Sequence, residues 1–167
     1  GTVWQAMYVE DIVIPSSVIS IGDYAFRGCN NFYKESLSLP KDLKKIGKSA
    51  FMACSSLKKI ILPDALESIG DACFAGCKSL EKIDIPAHLT TIPKEAFSTC
   101  TSLTQVSFTD SDIENPSGYI GISAFKDCSS LSEIDFSNTI TTIDLQAFSG
   151  CSSLETVSLP SHLQQLA

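Results

Sequence analysis

Six phenylalanines mark a repeat that runs along almost the whole 167-residue chain. Each is preceded by Ala (once by Cys), followed three residues later by Cys, and followed three residues after that by a large apolar residue. The phenylalanines are Phe26, Phe51, Phe74, Phe97, Phe125 and Phe148, at steps of 25, 23, 23, 28 and 23 residues. A coil of this length cannot bury its own apolar face, so the repetition predicts coils that stack on one another.

Each unit also contains an I-x-I segment that predicts a short β-strand. Period-2 alternation directs the two apolar residues inward and the residue between them outward. The predicted inward pairs are Ile12/Ile14, Leu37/Leu39, Ile60/Leu62, Ile83/Ile85, Val106/Phe108, Ile134/Phe136 and Val157/Leu159. Proline follows most pairs and should end the strand, because it cannot donate to a ladder.

The Ala-Phe-x-x-Cys segment predicts a helical turn, since Phe and Cys then share one face. Gly22, Gly47, Gly70 and Gly121 precede these turns and predict unusual backbone angles there. The unit is too short for a crossover of ~30 residues and falls in the range of leucine-rich repeats. We predict an α/β fold: one right-handed leucine-rich-repeat solenoid over residues 1–167, with about six repeats of ~23 residues and partial repeats at both ends. The parallel sheet should lie on the concave side, with short helical or 3₁₀ turns opposite.

These motifs, taken together as A-F-x-x-C-x-x-L-x-x-I-x-I-P, resemble the BspA-like leucine-rich repeat family over nearly the whole chain. The position three residues after each strand departs from ordinary leucine-rich repeats and predicts no asparagine ladder; it holds Ser17, Asp42, Ala65, His88, Thr139 and His162. The resemblance implies an extracellular or cell-surface protein of a host-associated microbe. It also implies adhesion or other protein contacts, including contacts with a host surface or matrix protein, and no catalytic residues or cofactor.

The composition argues against two kinds of partner, nucleic acid and the membrane interior. A net charge of −7 and a pI near 4.7 argue against nucleic acid, whose binding needs clustered Lys and Arg. No run approaches the ~20 apolar residues of a membrane span, so we expect no membrane insertion by this segment. No phosphate-binding loop or nucleophile motif is present, and we expect a protein that is not an enzyme.

The seven cysteines are best explained as core residues. Six share one repeat position beside Phe and Leu, where a small buried side chain is needed. Seven cysteines cannot all pair as disulfides, because their number is odd. The sequence also lacks the Cys-x-x-Cys spacing that would indicate a zinc site. We therefore predict buried, reduced thiols and no bound metal.

Two units carry insertions, which in solenoids map to loops and often carry specificity. The second unit has two extra residues around Tyr33. The fifth has five extra in T-D-S-D-I-E-N-P-S-G-Y, residues 109–119. Its alternating acids resemble the start of a calcium loop, but the pattern fails at Asn115 and Gly121, so a solvated acidic loop is predicted.

The outward strand face and these insertions form the predicted partner-binding surface. Its candidate residues are Asp84, Ser107, Asp110, Asp112, Glu114, Glu133 and Asp135, with Tyr33 and Tyr119 as aromatic anchors. We expect a non-catalytic protein-binding or adhesion module. The alternative is a structural spacer within a longer surface protein. The apolar strand at Val157 and Leu159 has no evident cap, which predicts end-to-end self-association.

Overall fold

A computed structural model describes residues 12–30, 36–109 and 117–167, and this part of the chain forms a parallel β-solenoid of about six turns. We number the coils 1 to 6 by their phenylalanines, from Phe26 to Phe148. Each coil has three sides. Side one carries the I-x-I strand, side two carries a second short strand, and side three carries the Ala-Phe turn.

Side one contains five strands: β2 (Ser36–Ser38), β4 (Lys59–Ile61), β6 (Lys82–Ile85), β8 (Gln105–Phe108) and β10 (Glu133–Asp135). Pairing is parallel, β2 with β4 and then β6 with β8 and β10. The first apolar residue of each segment points inward as predicted; Leu37, Ile60, Ile83 and Val106 are buried and Ile134 is half-buried. The predicted strand alternation is therefore confirmed in coils 2 to 6.

Side two was not anticipated as a sheet. Its strands are β1 (Ser20–Ile21), β3 (Lys45–Ile46), β5 (Ser68–Ile69), β7 (Thr91–Ile92), β9 (Gly118–Ile120), β11 (Ile140–Ile143) and β12 (Gln165–Leu166). Each carries the isoleucine or leucine position that follows the corner of the coil. A segment of two residues is too short to show the period-2 pattern by which strands are recognised in a sequence.

The prediction of helical or 3₁₀ turns is wrong, because side three contains no α-helix and no 3₁₀ helix in the described residues. Each turn instead has two residues in left-handed backbone conformation, as at Ala72 (φ 52°) and Gly76 (φ 73°) in coil 3. This geometry sends alternate N–H groups to the next coil, so that Phe74 N–H donates to the Ala96 carbonyl over 2.8 Å. In a helix, these N–H groups would instead donate to carbonyls of the same helix. Side three is thus a third ladder between coils.

The recurring glycine of the I-G pair does not supply unusual backbone angles, contrary to prediction. Positive φ among the glycines occurs at Gly28, Gly76 and Gly150 instead. Gly70 is required for close approach, since a Cβ there would lie 2.6 Å from Lys48 Cα and 2.7 Å from the Gly47 carbonyl carbon. The absence of a side chain lets consecutive coils stack at strand spacing.

The core is a set of ladders made from repeat positions. The six phenylalanine rings stack with centroids 5.1–5.4 Å apart and interplanar angles of 3–9°. Leucine, isoleucine and cysteine ladders surround them and are almost entirely buried between coils 2 and 5. Each inner ring therefore loses its water on both faces, which is the main stabilising contribution.

The strands predicted at Ile12/Ile14 and at Val157/Leu159 are absent, although both segments lie in the described residues. Val157 and Leu159 are exposed, and no β10 residue pairs with them. The ladder of side two does continue there, because β12 pairs with β11.

Candidate partner-binding surfaces

Side one brings four of the predicted site residues together. Asp84 and Asp135 lie opposite Ser107 on its two neighbouring strands, so the three form one outward row. Glu133 lies opposite Gln105 in the parallel row, which continues to Lys82. The strands thus place two carboxylates of coil 6 beside the polar row of coils 4 and 5.

The same face is apolar nearer its beginning, which the sequence reasoning did not single out. Ile61 occupies the position equivalent to Asp84 and is 61% exposed. It borders a shallow groove with Ser38, Lys41 and Asp64. The signal available in the sequence was an outward strand position that held Ile where its neighbours hold Ser and Asp.

Tyr119 is separated from the other described candidates, because β9 belongs to side two. Its hydroxyl donates to Asp144 Oδ2 over 2.6 Å. This hydrogen bond raises the pKa of Tyr119 and lowers the pKa of Asp144, whose Oδ1 also accepts from the Leu145 N–H. Sequence reasoning missed Asp144, although it stands at the repeat position that is Gly in four other coils.

Four candidates lie outside the described residues: Tyr33, Asp110, Asp112 and Glu114. The structure describes the residues that flank the fifth-unit insertion. Thr109 directly follows β8 on side one, and Ser117 directly precedes β9 on side two. The insertion therefore connects the two sheets of coil 5.

The cysteine ladder has a hydrogen-bonding role beyond filling space. From Cys54 onward, each repeat thiol donates to the phenylalanine carbonyl of the preceding coil over 3.1–3.2 Å. That carbonyl also accepts the N–H of its own coil's cysteine, so both of its lone pairs are used, as at Phe74 with Cys77 and Cys100. The signal was a Cys at this position in every unit, where packing alone would accept Ala or Val.

All seven cysteines are free thiols. Burial raises the pKa of Cys29 to about 11 and that of Cys151 to about 12, and burial also raises the pKa of Cys73 and of Cys100. Protonated, buried thiols are weak nucleophiles and poor metal ligands.

Within residues 12–30, 36–109 and 117–167, no three His, Cys, Asp or Glu side chains converge as metal ligands would. No helix long and apolar enough to cross a membrane occurs in the same ranges.

The repeat geometry agrees with comparison to known proteins. The profile of the BspA type leucine rich repeat region matches residues 3–117 and 107–167, in six copies. The chain belongs to the BspA-type leucine-rich repeat family. None of the curated proteins matches it at a significant level.

Solved structures of leucine-rich repeat proteins extend this result. A leucine-rich repeat protein from Bacteroides ovatus is 35% identical with a TM-score of 0.77, over 90% of this chain and 37% of its own. One from Eubacterium ventriosum is 26% identical with a TM-score of 0.78, over 90% and 39%. A leucine-rich cell surface protein from Faecalibacterium prausnitzii is 29% identical with a TM-score of 0.65, over 72% and 31%. The chain thus spans less than two fifths of the length of these three proteins.

Proposed function

We propose that this BspA-like chain is a non-catalytic protein-binding module with an adhesive role in a cell-surface or secreted protein. The observation that carries the proposal is the contrast between inward and outward positions. Inward positions repeat the same residue in coil after coil, whereas the outward row of side one changes from Ser38 through Ile61 and Asp84 to Asp135. The similarity to the cell surface protein of F. prausnitzii supports the location.

The partner surface that we propose comprises Asp84, Ser107, Glu133 and Asp135, together with the insertion of coil 5. Carboxylates in neighbouring strands attract a basic protein and accelerate its encounter. Host surface or matrix proteins with exposed Lys and Arg fit this requirement. Binding should weaken as salt concentration rises, because the carboxylates of side one are exposed to solvent.

The experiment compares capture of immobilised host matrix proteins by the wild-type chain and by two charge variants. Asp84→Asn, Glu133→Gln and Asp135→Asn together remove three carboxylates with little change of shape. Lys59→Gln with Lys82→Gln is the matched control on the same strand face. We expect the first variant to lose about tenfold or more in affinity and the control to keep it.

A deletion variant tests the insertion. Shortening residues 109–119 to the 23-residue norm should also reduce capture, with the melting temperature of the fold retained. Full binding by both the shortened variant and the carboxylate variant would move the site away from side one.

A structural spacer is the second candidate, and one observation favours it. No outward position of β2, β4, β6, β8 or β10 holds Tyr, Trp or Arg, the residues that dominate interface energetics. Absence of any captured protein by the wild-type chain would make the spacer the better explanation.

A further inference from the structure

One outward position of side two changes from charged to apolar residues between coil 4 and coil 5. The position two residues after the buried isoleucine is exposed in every coil, and in coils 1 to 4 it alternates in charge: Asp23, Lys48, Asp71 and Lys94. In coils 5 and 6 it holds Ile122, which is 39% exposed, and Leu145, which is 56% exposed. These two residues occupy neighbouring coils, since the Ser123 N–H donates to the Leu145 carbonyl over 3.0 Å.

The fold does not need apolar residues at this position. Four coils stack with charged residues there, and the core of side two is already filled by Ile120 and Ile143. Adjacent apolar side chains that burial does not require are typical of a contact surface. Tyr119 adds an aromatic ring at a strand position that is Ser, Lys or Thr in the other strands up to β11.

The electrostatics of this region favour a cationic partner. Asp144 borders the apolar pair, and each of its carboxylate oxygens accepts one hydrogen bond, from Tyr119 and from the Leu145 N–H. Among the described residues, no Lys, Arg or His forms an ion pair with it. Residues 81–167 contain three Lys, no Arg and eleven Asp or Glu. A fixed carboxylate beside exposed aliphatic side chains is complementary to a Lys or Arg that neighbours an apolar residue.

We propose that Tyr119, Ile122, Asp144 and Leu145 form a binding surface for a protein segment that presents an apolar side chain beside Lys or Arg. This inference rests on the proposed function, that the chain binds a protein, and assigns the chemistry of a contact on side two. The tyrosine, held by its hydrogen bond to Asp144, is ordered before the partner arrives, so less freedom is lost on binding.

The test uses short synthetic peptides as probes. One alternates Leu and Lys, one alternates Ser and Lys, and one alternates Leu and Glu, each with a fluorescent label. Anisotropy titration at physiological salt should give the Leu–Lys peptide about tenfold higher affinity than either of the others. The decisive variant is Ile122→Asp with Leu145→Lys, which continues the charge alternation of coils 1 to 4. It should lower the affinity for the Leu–Lys peptide about tenfold.

The matched control is Ile61→Ser, which removes an exposed apolar residue from side one and should leave peptide affinity unchanged. Leu145→Lys alone provides a milder variant at the more exposed position, should the double variant melt early. Equal binding of the Leu–Lys and Ser–Lys peptides would reduce the effect to general charge attraction and overturn the inference. Loss of binding in Ile61→Ser alone would likewise overturn it.

The two proposals fail differently. If a captured host protein binds wild type and the Ile122→Asp, Leu145→Lys variant equally, side two is not its contact while the binding function stands. If no host protein is captured but the Leu–Lys peptide binds as expected, the surface chemistry of side two stands and the adhesive role does not.

Discussion

Coil 3 and the coils at either end share the phenylalanine and cysteine of the repeat, and coils 1 and 3 share its glycine, but these residues have different surroundings. Phe74 of coil 3 stacks on Phe51 and Phe97 and is fully buried, whereas Phe148 of coil 6 stacks on Phe125 alone in the phenylalanine ladder and is half-buried. Gly70 touches the backbone of coil 2, whereas a Cβ on Gly22 of coil 1 would meet nothing within 4 Å.

This difference indicates that the energetic weight of a repeat residue comes from its neighbours rather than from its own coil. Solenoid stability is approximately a sum of repeat terms and nearest-neighbour interfaces. A ladder position should therefore contribute most where it has a coil on both sides. Matched substitutions in the middle and at the ends separate the two contributions.

The largest expected difference is at the phenylalanine ladder. Phe74→Ala should cost about 3–5 kcal/mol of unfolding free energy, the range for a buried phenylalanine. Phe148→Ala should cost about half as much, because part of its ring is already in contact with water. Urea unfolding followed by circular dichroism measures both. Equal costs would mean that interfaces between coils do not dominate.

The glycine position comes next. Gly70→Ala should cost about 1–3 kcal/mol, because the added methyl group overlaps backbone atoms of Lys48 and Gly47 that cannot move without separating the coils. Gly22→Ala should be neutral or stabilise by up to about 1 kcal/mol, since alanine restricts the unfolded chain and meets no clash. The same urea titration measures both variants. A similar loss in the two would show that backbone conformation, not close approach, selects glycine.

The cysteine ladder should show a smaller difference. Cys100→Ala removes the thiol donor to the Phe74 carbonyl and leaves a small void, so it should lower the free energy of unfolding by about 1–2 kcal/mol. Cys151 of coil 6 is half-buried, so Cys151→Ala should lower it by less.

Thiol accessibility sharpens the same comparison. A thiol reagent at pH 8 should label Cys29 and Cys151 first, since the other five are buried, and should label about seven thiols after denaturation without reductant. If Cys77 or Cys100 were labelled as fast as Cys151 in the folded protein, the inner cysteines would not be protected by burial as the structure indicates. Absence of free thiols after denaturation would refute the reduced state.

The smallest effect is expected at Tyr119, between coils 5 and 6. The lowered pKa of Asp144 stabilises the fold above the unfolded value of about 3.9, and this contribution is lost as pH falls through the folded value. The raised pKa of Tyr119 contributes below the unfolded value of about 10, and this contribution is lost as pH rises through the folded value. Tyr119→Phe should therefore destabilise most between about pH 4 and pH 10, and its effect should fade only as pH falls below that window or rises above it, through the folded pKa values of Asp144 and Tyr119.

Melting curves across pH measure this dependence. Tyr24→Phe is the control, because the Tyr24 ring lies under Arg27 and none of its described contacts involves Asp or Glu. A destabilisation by Tyr119→Phe that is the same at every pH would show that the ring, not the hydrogen bond, supplies the effect.

Sequence alone determined the repeat, the coil length, the inward residues of coils 2 to 6 and the family resemblance, whereas the inward placement of Val157 and Leu159 was wrong. These features depend on periodicity, and a residue such as Phe74 or Ile83 is constrained by the same rule in every unit. The outward row of Asp84, Ser107 and Asp135 also followed from alternation along the strand. In contrast, the sequence did not reveal the sheet of side two or the left-handed residues of side three, which leave no periodic signal within a single coil.

The tertiary structure decided everything that depends on contact between coils. Gly70 is glycine because of Lys48, and Cys100 is cysteine because of the Phe74 carbonyl; each partner lies in another coil, 22 to 26 residues away. The stacking also separated Tyr119 from the acidic row of side one and joined it to Asp144, 25 residues further along the chain. The physical reason is that in a solenoid each coil is too small to bury or satisfy its own groups, so the next coil completes the environment of its residues.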